Sequence, residues 1–315
     1  METMTQTQTT DQDHTDHTRG LANRAMLIRL RTSQWRPTVS DKALRRQLAE
    51  ANGGDLDSFE AKKLLAMRDE IRDITQAISA LMAYHYGHTL PWLDRGQRII
   101  TSALYLECRE EMQRRIEAIQ AAVAMTAATL PQIKALARQR LNGAYNETDY
   151  PTPEEFKAEY QFDLKVSVIP NIDDARIEAI GEAVNAELRN EIREELNTQV
   201  QASIRDAYMR LHGAISHMAE RLTAYDPQGQ TRAAKAVFHD SVVGNLEELA
   251  DVLPALNLTQ DPELDALCED VRARLTKHTP QELRTDTVKR LDTAQNAREI
   301  LRKMAAYCGV EGDTK

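Results

Sequence analysis

Glycine and proline are scarce in these 315 residues, at 12 and 10, and Trp, Tyr and Phe number only two, nine and four. So few turn formers and aromatics argue against a many-stranded barrel or a collagen-like rod. Cysteine is as rare. Cys108, Cys268 and Cys308 are an odd set without close spacing, which gives neither a disulfide framework nor a zinc knuckle. Buried free thiols in a reducing cytosol are the expectation. No window approaches the roughly 20 apolar residues of a membrane span. The first nineteen residues, METMTQTQTTDQDHTDHTR, contain no apolar run, so no signal peptide is expected there. Residues 1–19 read as a solvated, disordered tail, on a chain expected in the cytoplasm and away from membranes.

What is abundant is Ala, Leu, Glu, Arg and Gln, the residues that favour long helices. Acids outnumber bases 49 to 40, for a formal charge of -9. Two segments break the helical pattern. Met26, Ile28 and Leu30 alternate within Ala25–Arg31, and Phe162, Leu164, Val166 and Val168 alternate with polar residues up to Pro170. Both have the period of a half-buried strand. Neither stands alone, so a small element of two or three strands is expected.

Elsewhere the apolar spacing is three and four. It predicts helices over about 58–86 and 97–142, with a kink or restart at Pro131. Thr152-Pro153-Glu154-Glu155 and Thr279-Pro280-Gln281-Glu282 are capping boxes with Pro at the first helical position. The longest helix should run from about Asp173 to Tyr225, through Val184, Leu188, Ile192, Leu196, Val200 and Ile204 and on to Leu222. Fifty helical residues span about 75 Å, and the segment over 97–142 is its natural antiparallel partner. The expected fold is mainly α: an elongated, coiled-coil-like hairpin of long helices over 20–225 with the small β element. A C-terminal helical subdomain over 226–310 would follow, with helices near 232–253, 262–277 and 280–308.

Signatures of chemistry are missing. The chain has no GxxxxGK[ST], GxGxxG, CxxC, HExxH or GxSxG. His212 and His217 are five apart on one helix and point about 140° apart, and the run Glu187–Glu195 alternates in sign like a solvated flank. No catalytic, cofactor or metal site is expected, and the chain does not read as an enzyme. One asymmetry stands out. Arg19, Arg24, Arg29, Arg31, Arg36, Lys42, Arg45 and Arg46 meet only Asp41. With Trp35 among them, Arg29, Arg31, Arg36, Arg45 and Arg46 are a candidate nucleic-acid patch, or else they pair with the chain's many acids.

The least generic stretch is Tyr84-His85-Tyr86-Gly87-His88-Thr89-Leu90-Pro91-Trp92-Leu93-Asp94-Arg95-Gly96-Gln97-Arg98. It resembles the hallmark of a phage- and prophage-encoded family known only as a domain of unknown function. The resemblance continues in order through Met26–Trp35, Asp149–Glu155, Phe162–Pro170, Ser216–Leu222, Asn245-Leu246 and Leu253–Leu258. It implies a setting beside a MoxR-type AAA+ ATPase and a cobalt-chelatase-like von Willebrand A protein, and it brings no active-site residues. Two readings of the stretch are open. Leu90, Pro91 and Trp92 plug a tight corner between two helices into the body. Alternatively Tyr84, Tyr86, Trp92, Asp94 and Arg95 form a partner-binding surface, since aromatic and Arg residues make good hot spots. The leading functional reading is an adaptor whose partner is the ATPase module or a second copy of itself. The alternative is a nucleic-acid-binding accessory protein.

Overall fold

A computed structural model describes residues 20–92, 96–169, 182–225 and 238–308; the side chains of 182–186 and 306–308 lie outside that description. The protein is mostly helical, with one four-stranded and one two-stranded sheet. Its residues cluster into two compact units. The first takes in residues 1–29, 86–107 and 166–315, and the second 30–85 and 108–165.

Strand β1 (Ala25–Ser33), which enters the first unit with its residues up to Arg29, pairs antiparallel there with β5 (Arg98–Thr101), which pairs with the short β4 (Leu90–Pro91); β6 (Gln161–Val168), in that unit from Val166 on, is the other neighbour of β1. The two strands expected from alternation are therefore present, at β1 and β6. The helix expected from about residue 97 instead begins at Ser102, because Arg98-Ile99-Ile100 is buried on both faces and enters the sheet. β-Branched residues favour that setting, and a strand covered on both sides shows no alternation.

The long helix α5 (Glu182–Ala224) is the spine of this unit. Of the apolar series expected, Leu196, Val200, Tyr208, Leu211, Ile215, Met218 and Leu222 are buried and Leu188, Ile192 and Ile204 half-buried, while the Val184 side chain lies outside the description; Ala207 joins the buried face. Within the first unit its cover comes from the C-terminal helices. α5 packs on α9 (Thr287–Cys308) and α6 (Ser241–Ala255), and α6 packs on α7 (Pro262–Arg274). One continuous core joins them through Leu246, Leu253, Val271, Ile300 and Met304. The helix expected over 280–308 divides at Asp286 into α8 (Pro280–Thr285) and α9. Asp286 is extended there, and its carboxylate accepts from the Val288 and Lys289 amides, so it ends one helix and starts the next.

In the second unit, the helix expected over 58–86 begins only at Arg72, as α2 (Arg72–Gly87). Before it, β2 (Thr38–Ser40) and β3 (Lys62–Leu64) form a small antiparallel ladder around α1 (Lys42–Asn52). Asp41 caps α1 by accepting from the Ala43 and Leu44 amides, and Gly53 ends it with φ 60°. Leu64 and Met67, which fit a helical stripe in sequence, are largely exposed. Helix α3 (Ser102–Leu141) runs unbroken through Pro131. The spacing of Leu104, Met112, Ile116, Ile119, Val123 and Leu130 predicts a near-heptad seam; the last five are buried, Leu104 is half-buried, and Cys108 and Ala127 join the buried face. Helix α4 (Pro153–Ala158) opens with the Thr152–Glu155 capping box, and α8 with that of Thr279 and Glu282. Cys108 and Cys268 are buried free thiols; no helix among the described residues is long and apolar enough to cross a membrane.

Candidate functional site

The unusual stretch forms the end of α2 and the β4–β5 hairpin, a corner built on a buried arginine. Arg98 is only 8% exposed. Its Nε donates to Thr89 Oγ1 at 2.5 Å and an Nη to the Thr89 carbonyl at 2.7 Å. The guanidinium lies 4.7 Å from the centre of the Tyr86 ring. Burial, then the neighbouring Arg210 charge, pulls the Arg98 pKa down to about 10. The cation is kept because its donors reach oxygens and its face meets an aromatic ring.

A second arginine holds the corner from α5. Arg210 donates to the Tyr86 carbonyl at 2.7 Å, while Asp206, one turn earlier, pairs with Arg210 Nε at 2.6 Å. The Tyr86 carbonyl belongs to the last turn of α2, where helix carbonyls lack partners and a cation is favoured. Ser203, also on α5 and fully buried, donates to the Pro91 carbonyl at 2.7 Å. Pro91 lies in the edge strand β4, where its missing N–H costs no ladder bond. The Trp92 amide closes the hairpin onto the Gln97 carbonyl at 3.1 Å.

This geometry separates the candidate residues. Leu90 and Trp92 are 1% and 2% exposed and belong to the core of the first unit, so those two side chains are the plug. Tyr86 is 50% exposed and offers a ring whose other side rests on Arg98. Tyr84 is two residues away on α2, about 200° around the helix. It is half-buried against the Arg115 guanidinium of α3 and does not join Tyr86. Asp94 and Arg95 lie outside the described residues.

Beside the corner runs a groove of about 1360 Å³ along α5. Pro91, Val200, Ile204 and Met209 give it apolar wall, and Arg205 and Asp206 give it charge. The opposite wall is the turn between α6 and α7, residues 259–262. Tyr208 of α5 donates to Asp261 of that turn at 2.7 Å. Met209 is 46% exposed next to Arg210. The sequence singles out Tyr86 but not Arg98, Ser203, Asp206 or Arg210, which hold its corner here. Only the i, i+4 spacing of Asp206 and Arg210 was a readable signal.

The side chains of the basic segment differ in exposure and pairing. Arg31, Arg36, Lys42 and Arg46 are exposed and Arg29 half-buried in β1. Arg45 is engaged by the Leu56 carbonyl and by Asp57 at 2.7 Å. Trp35 is buried, its ring edge-on to Phe156 at 5.3 Å, so it offers no face for stacking on a base. Among the described residues, no cluster of three or more His, Cys, Asp or Glu could hold a metal ion. Comparison with protein-family models, with curated proteins and with solved structures finds no match.

Proposed function

We propose that the chain is a non-catalytic adaptor of phage origin, acting in the host cytoplasm by docking a protein partner on the Tyr86 corner and the adjoining α5 groove. The observation that carries this reading is the half-exposed Tyr86 ring held on a buried guanidinium, tied through its carbonyl and Arg210 to Asp206, which with Pro91 lines an apolar-walled groove. An aromatic fixed in advance loses little entropy when a partner covers it. Tyrosine beside a partly apolar, partly charged wall is the composition of an interface hot spot. The family resemblance of residues 84–98 supports a partner from an ATPase module, either the MoxR-type AAA+ protein or its von Willebrand A companion. The nucleic-acid alternative lacks comparable support, since Trp35 is turned into its own unit and Arg45 is already paired.

The test measures binding of those two partner proteins, each purified, to the wild-type chain and to Tyr86→Ala. Loss of a hot-spot tyrosine should weaken one of the two complexes by about tenfold or more, with an almost unchanged melting curve. Equal affinity of the variant, or no binding of either protein to the wild type, overturns the reading.

A further inference from the structure

The four-stranded sheet has two unequal edges. β4 is two residues long and contains Pro91, two devices that blunt an edge. β6 is eight residues long, Gln161-Phe162-Asp163-Leu164-Lys165-Val166-Ser167-Val168, with no proline, and among the described residues is the outermost strand on its side. Its apolar face is incompletely covered. Phe162 and Leu164 are half-buried, but Val166 is 41% and Val168 82% exposed. Such an edge presents unpaired N–H and C=O groups that template another strand. The usual deterrent is a charge of one sign, because two copies then repel.

Here the charges are of opposite sign and their spacing is self-complementary. Asp163 and Lys165 lie on the polar face, bonded to each other at 3.3 Å with side chains 49% and 61% exposed. An antiparallel pairing of β6 with itself, centred on Leu164, sets Asp163 of each copy opposite Lys165 of the other. The same register sets Leu164 against Leu164, Phe162 against Val166, and Gln161 against Ser167. Apolar meets apolar, polar meets polar, and each charge meets its opposite, the three kinds of cross-strand pair that stabilise a sheet. A shift of one residue brings Asp163 opposite Leu164 and turns the apolar set to the wrong face.

We propose that β6 pairs antiparallel with β6 of a second copy of this chain, about a two-fold axis at Leu164, joining the two four-stranded sheets into one. The interface is isologous, as a two-fold axis requires, and does not depend on the docking role of the Tyr86 corner. A single strand pair is a small interface, so dissociation constants of about 10 µM are expected.

The test is equilibrium sedimentation of the full chain, at about 5–200 µM to bracket that affinity. The variants are Lys165→Asp and Asp163→Lys, both at exposed positions. The wild type should dimerise. Each single variant sets like charges opposite one another twice, and should weaken self-association by about tenfold to a hundredfold. Mixing the two variants restores opposite charges at both positions, so a heterodimer of near wild-type affinity should form. A monomeric wild type overturns the proposal and leaves the edge to another protein's strand. So does a dimer insensitive to the single changes, or a mixture that does not reassociate.

Discussion

Arg98→Met tests whether the corner is held from beneath by its buried guanidinium. The substitution removes the two bonds to Thr89 and the stacking on Tyr86. A charge-assisted hydrogen bond contributes about 1.5–3 kcal/mol, and a partly desolvated cation–π contact about 1 kcal/mol. Against them stand the desolvation of the cation and the nearby Arg210 charge, which already pull its pKa to about 10. We take the net loss as about 2 kcal/mol of local stability, which is about a thirtyfold increase in hairpin opening. Hydrogen exchange of the β4 and β5 amides, including the Trp92 amide bonded to Gln97, reads this directly. Tyr86→Ala removes the stacking and should speed the same amides by about fivefold. If Arg98→Met leaves the Trp92 amide exchanging at the wild-type rate, the guanidinium does not hold the corner, and the preorganisation argument fails.

Ile116→Asp should unfold the second unit or lower its stability by about 4 kcal/mol or more, since Ile116 is 7% exposed in the α3 seam. Ile204→Asp should cost less, as that half-buried side chain borders the groove; equal melting temperatures for Ile116→Asp and wild type would remove the seam as core. Glu282 accepts from Lys289, from the Thr279 amide and from the Thr279 hydroxyl, and its pKa is pulled down to about 2. A depressed carboxyl stabilises the fold above its ordinary pKa and loses that contribution as pH falls. The difference in melting temperature between wild type and Glu282→Gln should therefore close between about pH 4.5 and pH 2, and a constant difference would contradict the pairing. With Trp35 buried and Arg45 engaged, duplex DNA should show no salt-sensitive band shift at about micromolar protein; a shift abolished by Arg31→Glu and Arg46→Glu would favour the alternative.

Much of the helical frame was legible because its signal is periodic and local. Much of the α5 and α3 seams, both capping boxes and the presence of β1 and β6 follow from residue spacing alone, although β1 buries Ala25, Leu27 and Ile28 rather than the alternating Met26, Ile28 and Leu30. The failures have a shared cause. β5 is four residues, buried on both faces, so its Ile99-Ile100 pair looked like part of a helix; the β-branched run Ile99-Ile100-Thr101 was the overlooked cue. β2 and β3 are three residues each, too short for any period. Which helices cover α5 within its own unit is set by long-range packing, which spacing does not encode: they are α6 and α9. The site divided in the same way. Tyr86 was legible as an aromatic at a helix end, whereas Arg98 and Arg210 are ordinary arginines in sequence. Arg98 acquires its role from the hairpin that folds it back on Thr89 and Tyr86, and Arg210 from a carbonyl more than a hundred positions away, that of Tyr86.

The most direct measurement of the docking surface places a photo-crosslinking benzoylphenylalanine at Tyr86, with a second at the exposed Leu136 of α3 as control. Irradiated with the MoxR-type ATPase and the von Willebrand A protein, the position 86 variant should form a covalent adduct with one of them, and the position 136 variant should not. A complex that forms but crosslinks only from position 136, or from neither position, would contradict docking at the Tyr86 corner.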